Sequence, residues 1–228
     1  MRIDRRVLIE FFHGDDDTRS HQAAIKAVAG EELGLALLVE FLSDQRRNPT
    51  RVPGMPHPAG GAGHHLDGWV RAQADDGLMT LYQVEVKLWG RYSFLHQGQQ
   101  PPHADRLVQR WTQYWDQFGF RDEELRKVLD ENMELPEGNT RVEPLVCLWD
   151  AVCPCEEVAP PWFSVPVPEF PVEVQRQWVV VNPRRFTRVW IFSMSAFLET
   201  LDDGEELTLD LPATSERLQW LNRIFPHA

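Results

Sequence analysis

The chain has 228 residues, of which 43% are hydrophobic and 25% charged, a balance typical of a globular protein that buries a sizeable core. The formal net charge of −12 counts against a broad basic surface for nucleic acid, although it leaves room for basic residues around a cleft. The odd count of three cysteines gives no disulfide framework, and no apolar run is long enough to span a membrane. Charged and apolar residues alternate from Met1 to Ile9, unlike a signal peptide, so we expect a cytoplasmic protein.

A long helix is predicted from His21 to Gln45. Its apolar residues recur at spacings of three and four, and the stretch from Leu33 to Leu42 is nearly all apolar, which indicates a helix packed on a sheet. Gly30 could divide this helix into two pieces. Four prolines and four glycines between positions 48 and 63 then predict a loop.

A β-hairpin is predicted next. Its flanks, residues 66–73 and 78–89, are rich in β-branched and aromatic residues, and Asp75, Asp76 and Gly77 between them are typical of a turn. A type I turn with a left-handed Gly77 is the usual three-residue hairpin loop. In that register Asp67 lies opposite Glu85.

The second strand of this hairpin has two different faces, because side chains alternate along a strand. One face is apolar, and the other carries Gln83, Glu85 and Lys87. Cross-strand neighbours lie about 4.5–5.5 Å apart at Cβ, so Asp67 should join Glu85 and Lys87 in one cluster. Two carboxylates suit a hard cation such as Mg²⁺, and a lysine beside them suits a phosphate or an attacking water.

The ordinary explanation of such a strand is a solvated face with an exposed Glu–Lys ion pair. Two features favour the functional interpretation instead. The apolar face is strong enough for a central strand, and the partner acid arrives at the matching register.

Asp67 followed by Glu85-Val86-Lys87 resembles the signature of the PD-(D/E)XK nuclease superfamily. The proline that often precedes the aspartate is replaced here by Leu66. The resemblance implies a restriction-endonuclease-like fold, an α/β mixed sheet flanked by helices. It also implies that Asp67 and Glu85 hold Mg²⁺ or Mn²⁺, that the Val86 carbonyl is a further ligand, and that Lys87 orients the attacking water or stabilises developing charge.

The same resemblance implies further site residues. Members of the superfamily often supply one more acid from the helix before the hairpin, and Glu40 is the matching candidate. His65 lies two residues before Asp67 and could assist the metal or the water. Gln83 shares the face of Glu85, and an amphipathic helix predicted at 103–118 would border the cleft with four polar residues, Arg106, Gln109, Arg110 and Gln113.

Five elements are predicted after residue 140, together with an extended, proline-rich excursion at 154–171. They are strands at 142–149, 177–181 and 188–192, a short helix capped by Ser193 or Ser195, and a closing helix at 214–225.

We therefore expect one PD-(D/E)XK nuclease-like domain over residues 1–228, with a C-terminal elaboration from about residue 154. The function it implies is Mg²⁺- or Mn²⁺-dependent hydrolysis of phosphodiester bonds, in DNA more than RNA, with no membrane contact and with a homodimer or a protein partner left open. One alternative, favoured by the acidic net charge, is a catalytically inactive scaffold or interaction module. A weaker one is a small-ligand-binding α/β protein whose pocket is lined by some of the nine tryptophans.

Overall fold

The computed structural model of the protein describes residues 1–13, 19–53, 66–87, 141–149, 160–166, 186, 188–202 and 206–225. Four helices lie in these ranges: α1 (Arg5–His13), α2 (Arg19–Asp44), α3 (Met194–Thr200) and α4 (Pro212–Ile224). The same ranges contain eight strands: β1 (Arg2–Asp4), β2 (Thr50–Arg51), β3 (Gly68–Gln73), β4 (Met79–Lys87), β5 (Arg141–Leu148), β6 (Trp162–Pro166), β7 (Arg188–Ser193) and β8 (Glu206–Thr208).

Six of these strands form one mixed sheet in the order β2-β3-β4-β5-β7-β6. The hairpin strands β3 and β4 are antiparallel, and β4, β5 and β7 run parallel. The predicted α/β class is confirmed at this level. Strands β1 and β8 pair separately as a two-stranded sheet. None of the helices in the described part of the chain is both long and apolar enough to cross a bilayer.

Helix α2 packs across one face of the sheet. It is continuous from Arg19 to Asp44, so the predicted division at Gly30 is wrong, and burial of that glycine in the helix offsets its low helix propensity. A Cβ built on Gly34 would lie 2.5 Å from Cγ1 of Val86, and one built on Gly68 would lie 2.7 Å from the side chain of Leu35. The helix and the hairpin therefore meet at two points where one partner has no side chain.

The direction of α2 is set by the segment that follows it. The N–H of Gln73, at the end of β3, donates to the carbonyl of Arg47 at 2.8 Å. The C-terminal end of α2 thus lies near the hairpin turn, while Gly34 lies over Val86 at the far end of β4. The predicted loop after the helix contains the two-residue strand β2 and then continues beyond the described residues.

The C-terminal elements mostly match their predictions. Strands β5 and β7 are present, and Ser193 caps α3 by accepting the N–H of Ala196 at 3.3 Å. Helix α4 begins two residues earlier than predicted, where the carboxylate of Glu32 accepts the N–H groups of Ala213 and Thr214 at 2.9 and 2.6 Å. The strand predicted at 177–181 and the helix predicted at 103–118 lie outside the described residues.

One strand lies within the segment predicted as an excursion. Strand β6 pairs antiparallel with β7 at the edge of the sheet, where Pro166, its last residue, is tolerated. The C-terminal part of the chain therefore extends the same sheet that holds the hairpin.

We expect Gly34→Ala to destabilise the protein by about 1–3 kcal/mol, although alanine has the better helix propensity by about 1 kcal/mol. The reason is the 2.5 Å approach to Val86, a stiff β-branched side chain held in the core. Urea unfolding of the single and double variants measures the effect. In a Val86→Ala background the same Gly34→Ala change should become neutral or stabilising, and an unchanged penalty there would show that the contact is not its cause.

Candidate functional site

The hairpin turn has the predicted geometry. The N–H of Ala74 donates to the carbonyl of Leu78, the N–H of Gly77 donates to the carbonyl of Ala74, both at 2.9 Å, and Gly77 has a φ of 79°. Because Gly68 pairs with Val84, the next step along the same register sets Asp67 opposite Glu85. The predicted register is confirmed.

Asp67 lies just before the first residue of β3, and its carboxylate accepts the backbone N–H of Val86 at 2.5 Å. Backbone N–H groups of a strand lie in the plane of the sheet, so this carboxylate turns into that plane rather than standing off the face. The carbonyl of Lys87 accepts the N–H of Trp149 on the opposite side of β4. Since neighbouring residues direct their backbone groups to opposite sides, the Val86 carbonyl lies on the side of Asp67.

Glu85 and Lys87 form an ion pair with 2.6 Å between Oε1 and Nζ. Their side chains are 2% and 15% exposed, so this is not the solvated pair that alternating polar residues usually form. Removing two charges from water costs several kcal/mol, which their attraction and further hydrogen bonds must offset. Such an arrangement is uncommon in a purely structural strand and frequent at functional sites.

The surroundings of Asp67 raise its pKa from 3.8 to about 7. Burial is the main cause, and the negative charge of Glu85 is the next. The Val86 N–H and the charge of Lys87 act in the opposite direction, and a second acid, Glu31, raises the pKa further. The two hairpin carboxylates therefore repel each other in a desolvated setting.

Glu31 comes from α2, which is also where Glu40 was predicted to supply an acid. Glu40 is half-buried, and it lies six residues after Gly34, about 9 Å along the helix axis toward the hairpin turn. Glu31 lies one turn before Gly34, at the end where Asp67 sits. A glycine inside an apolar helix marks the point where the helix comes closest to the sheet. The acid one turn before Gly34 is Glu31, so this signal would have indicated Glu31 as an acid near Asp67.

The remaining predicted site residues have mixed outcomes. Gln83 lies on the same face as Glu85 and is buried. His65 and the four residues expected on the following helix, Arg106, Gln109, Arg110 and Gln113, lie outside the described residues.

Within the described ranges, no group of three or more histidine, cysteine, aspartate or glutamate side chains is arranged to hold a metal ion. The oxygen donors that the described residues bring together are therefore the carboxylates of Asp67 and Glu85 and, on the same side of β4, the carbonyl of Val86. We call Asp67, Glu85 and Lys87 the acidic cluster.

No family model, curated protein or solved structure matches this chain. A function for the chain must therefore come from its own residues. The acidic cluster is the part of the hairpin where charge, burial and geometry depart furthest from an ordinary strand.

We expect Asp67→Asn to stabilise the metal-free protein at pH 8 and to have little effect near pH 4. The folded state binds a proton at Asp67 up to about pH 7, whereas the unfolded chain releases it near pH 3.8, so folding becomes less favourable as pH rises through this window. Asparagine removes this penalty, by about 1–3 kcal/mol at pH 8 once solvent screening of a half-buried carboxylate is allowed for. Thermal melts in EDTA from pH 4 to pH 8 measure it.

Asp76→Asn is the matched control in the hairpin turn. The Leu78 N–H and Arg141 lower the pKa of Asp76. This substitution should therefore lower the melting temperature above pH 4 and leave it nearly unchanged below that pH. Parallel pH profiles for wild type and Asp67→Asn would contradict the assignment of the raised pKa.

Proposed function

We propose that the protein is a metal-dependent nuclease that hydrolyses phosphodiester bonds, in DNA more than RNA. The observation that carries the proposal is the acidic cluster: an aspartate opposite a glutamate on antiparallel strands, with a lysine two residues beyond the glutamate. The order of elements supports a restriction-endonuclease-like arrangement, because α2 precedes the hairpin and β5 continues the sheet parallel to β4.

Asp67 and Glu85 would hold the ion, with the Val86 carbonyl as a third oxygen. These are the hard donors that Mg²⁺ and Mn²⁺ prefer. The raised pKa of Asp67 fits this role, since two desolvated carboxylates that repel each other gain most when a cation lies between them. When bound, such an ion would polarise a phosphate and lower the pKa of a water.

Lys87 supplies the positive charge of the cluster. It is held within 2.6 Å of Glu85 on the same face of β4, and its side chain keeps 15% of its surface exposed. An ammonium group so placed can stabilise charge that develops on a phosphate, or orient the attacking water. Its burial limits its motion, so it is positioned before a substrate arrives.

The competing function is a catalytically inactive scaffold or interaction module with the same fold. Two observations favour it. The formal net charge is −12, which opposes nucleic-acid binding, and Lys87 already neutralises Glu85. On this alternative the acidic cluster is a structural ion pair with an adjacent acid, and it should not bind a divalent ion.

We expect wild type to cleave a plasmid or an oligonucleotide with Mg²⁺ or Mn²⁺, and Asp67→Asn, Glu85→Gln and Lys87→Ala to lose at least 100-fold in rate. Melting curves in EDTA and in saturating Mg²⁺ separate the roles. The ion should raise the melting temperature of wild type by mass action, raise that of Lys87→Ala similarly, and leave those of both acid variants nearly unchanged.

Glu206→Gln is the control for loss of one carboxylate, since Glu206 forms an exposed ion pair with Arg2 on the separate two-stranded sheet. It should retain both cleavage and the shift with Mg²⁺. If wild type neither cleaves nucleic acid nor responds to any divalent ion, the scaffold function becomes the better assignment.

Glu31 and Glu40 provide a second test within α2. Because Glu31 is the acid whose charge reaches Asp67, we expect Glu31→Gln to weaken Mg²⁺ binding about three- to tenfold and Glu40→Gln to leave it within twofold. Isothermal titration of the three proteins with MgCl₂ measures this. If Glu40→Gln weakened Mg²⁺ binding more than Glu31→Gln, Glu40, the acid predicted from the family pattern, would be the one that contributes to the site.

A further inference from the structure

An aromatic cluster lies on the other face of the sheet, beneath α2. Tyr82 of β4 meets the rings of Trp162 and Trp190 edge-on, with centroids at 5.6 and 6.5 Å, and the two indoles stack at 4.8 Å. Phe41 of α2 lies 5.8 Å from Trp162, and the guanidinium of Arg47 lies 5.7 Å from the centre of the same ring. These five residues, which we call the tyrosine cluster, join the sheet to the end of α2.

Three donors of the tyrosine cluster are buried and have no hydrogen-bond partner among the residues that the structure describes: the hydroxyl of Tyr82, Nε1 of Trp162 and Nη1 of Arg47. The hydroxyl of Thr80, two residues from Tyr82 on the same face of β4, is also buried without a partner among the described residues. Tyr82 itself is fully buried. By contrast, the indole N–H of the neighbouring Trp190 donates to Glu143.

Buried donors without partners are expensive. Each costs about 1–3 kcal/mol, and folded proteins leave few of them. Several in one cluster therefore indicate a bound group that supplies acceptors. An indole N–H and a guanidinium only donate, and burial together with the charge of Glu143 raises the pKa of Tyr82 to about 12, which keeps its proton in place. The bound group must accept at least three hydrogen bonds.

A single water does not meet that requirement. It accepts two hydrogen bonds, one fewer than the three donors offer. The carboxylates whose charges act on Tyr82 already have partners of their own. Glu143 is engaged by Trp190, Arg141 and Arg188, and Asp75 by the other arm of Arg47. An oxyanion offers several lone pairs and gains from the positive charge of the guanidinium.

The tyrosine cluster is also reachable. Arg47 is 14% exposed and Trp162 is half-buried, so the rim of the cluster meets solvent while Tyr82 lies at its base. Its distance from the acidic cluster is large: Tyr82 lies three residues before Glu85, about 10 Å along β4, and points to the opposite face. It is a separate place on the molecule.

We propose that the tyrosine cluster binds one oxyanionic group, a phosphoryl or a carboxylate, through the Tyr82 hydroxyl, the Trp162 indole N–H and the second guanidinium nitrogen of Arg47. The site is independent of the proposed nuclease activity. The bound group neutralises Arg47 from the side that Asp75 does not reach, and it completes the hydrogen bonding of the indole stack.

Tyr82→Phe is the decisive variant, because it removes one donor and keeps the ring. In buffer containing only chloride, it should melt at the same temperature as wild type or higher, since it loses a hydroxyl that lacks a partner. In sodium phosphate or sodium acetate at matched ionic strength, wild type should rise in melting temperature and the variant should rise less. Isothermal titration should show about tenfold weaker binding for the variant, and the two salts distinguish a phosphoryl from a carboxylate site.

Two further variants, one in the tyrosine cluster and one control, complete the test. Arg47→Lys keeps the charge but removes the second nitrogen, so it should also bind about tenfold more weakly. Trp220→Phe, at an exposed position of α4, should bind as wild type does. Equal melting shifts for wild type and Tyr82→Phe in every salt, or no heat of binding for either anion, would overturn the proposal and leave ordered water as the partner of these donors.

Discussion

Helix α2 and the hairpin approach each other at Gly34 and Gly68, and most of the described architecture depends on this contact. Each glycine admits a side chain from the other surface, Val86 in one case and Leu35 in the other. The closeness fixes the position of the helix over the hairpin, and the Gln73–Arg47 hydrogen bond sets its direction. The middle of α2 then brings Glu31 toward Asp67, and the segment that follows the helix brings Arg47 to the tyrosine cluster. The packing of α2 on the hairpin therefore bears on the geometry of both clusters.

Burial gives the acidic cluster its chemical character. On a solvated strand, Glu85 and Lys87 would contribute little and Asp67 would ionise near pH 4. Here the low exposure strengthens both the attraction within the ion pair and the repulsion between the two carboxylates. The net effect is a folded state that carries an unfavourable charge arrangement at neutral pH. Proteins usually keep such an arrangement where a ligand relieves it.

The hairpin was predictable because its determinants are local. Turn chemistry at Gly77 and side-chain alternation suffice to place Asp67 opposite Glu85. Short strands such as β2, β6 and β8 were missed, because their pairing partners are distant in sequence and proline hides one of them. That the charge of Glu31 acts on Asp67 depends on where α2 sits along the sheet, which a helical period alone does not specify. The tyrosine cluster escaped prediction for the same reason, since Tyr82 and Trp162 are 80 residues apart in sequence and look like ordinary core residues.

Strand β4 carries both clusters, and the two-residue period of its side chains keeps them apart. Thr80 and Tyr82 point toward α2, whereas Glu85 and Lys87 point away from it, because side chains alternate along the strand and the two pairs of positions differ in parity. A slip of one residue in the hairpin would turn the charged pair into the apolar layer under α2 and would turn Tyr82 to the opposite face of the sheet. The turn at Gly77 opposes that slip. The register that places the two acids opposite each other therefore also keeps Tyr82 on the face under α2. Both clusters depend on this one register.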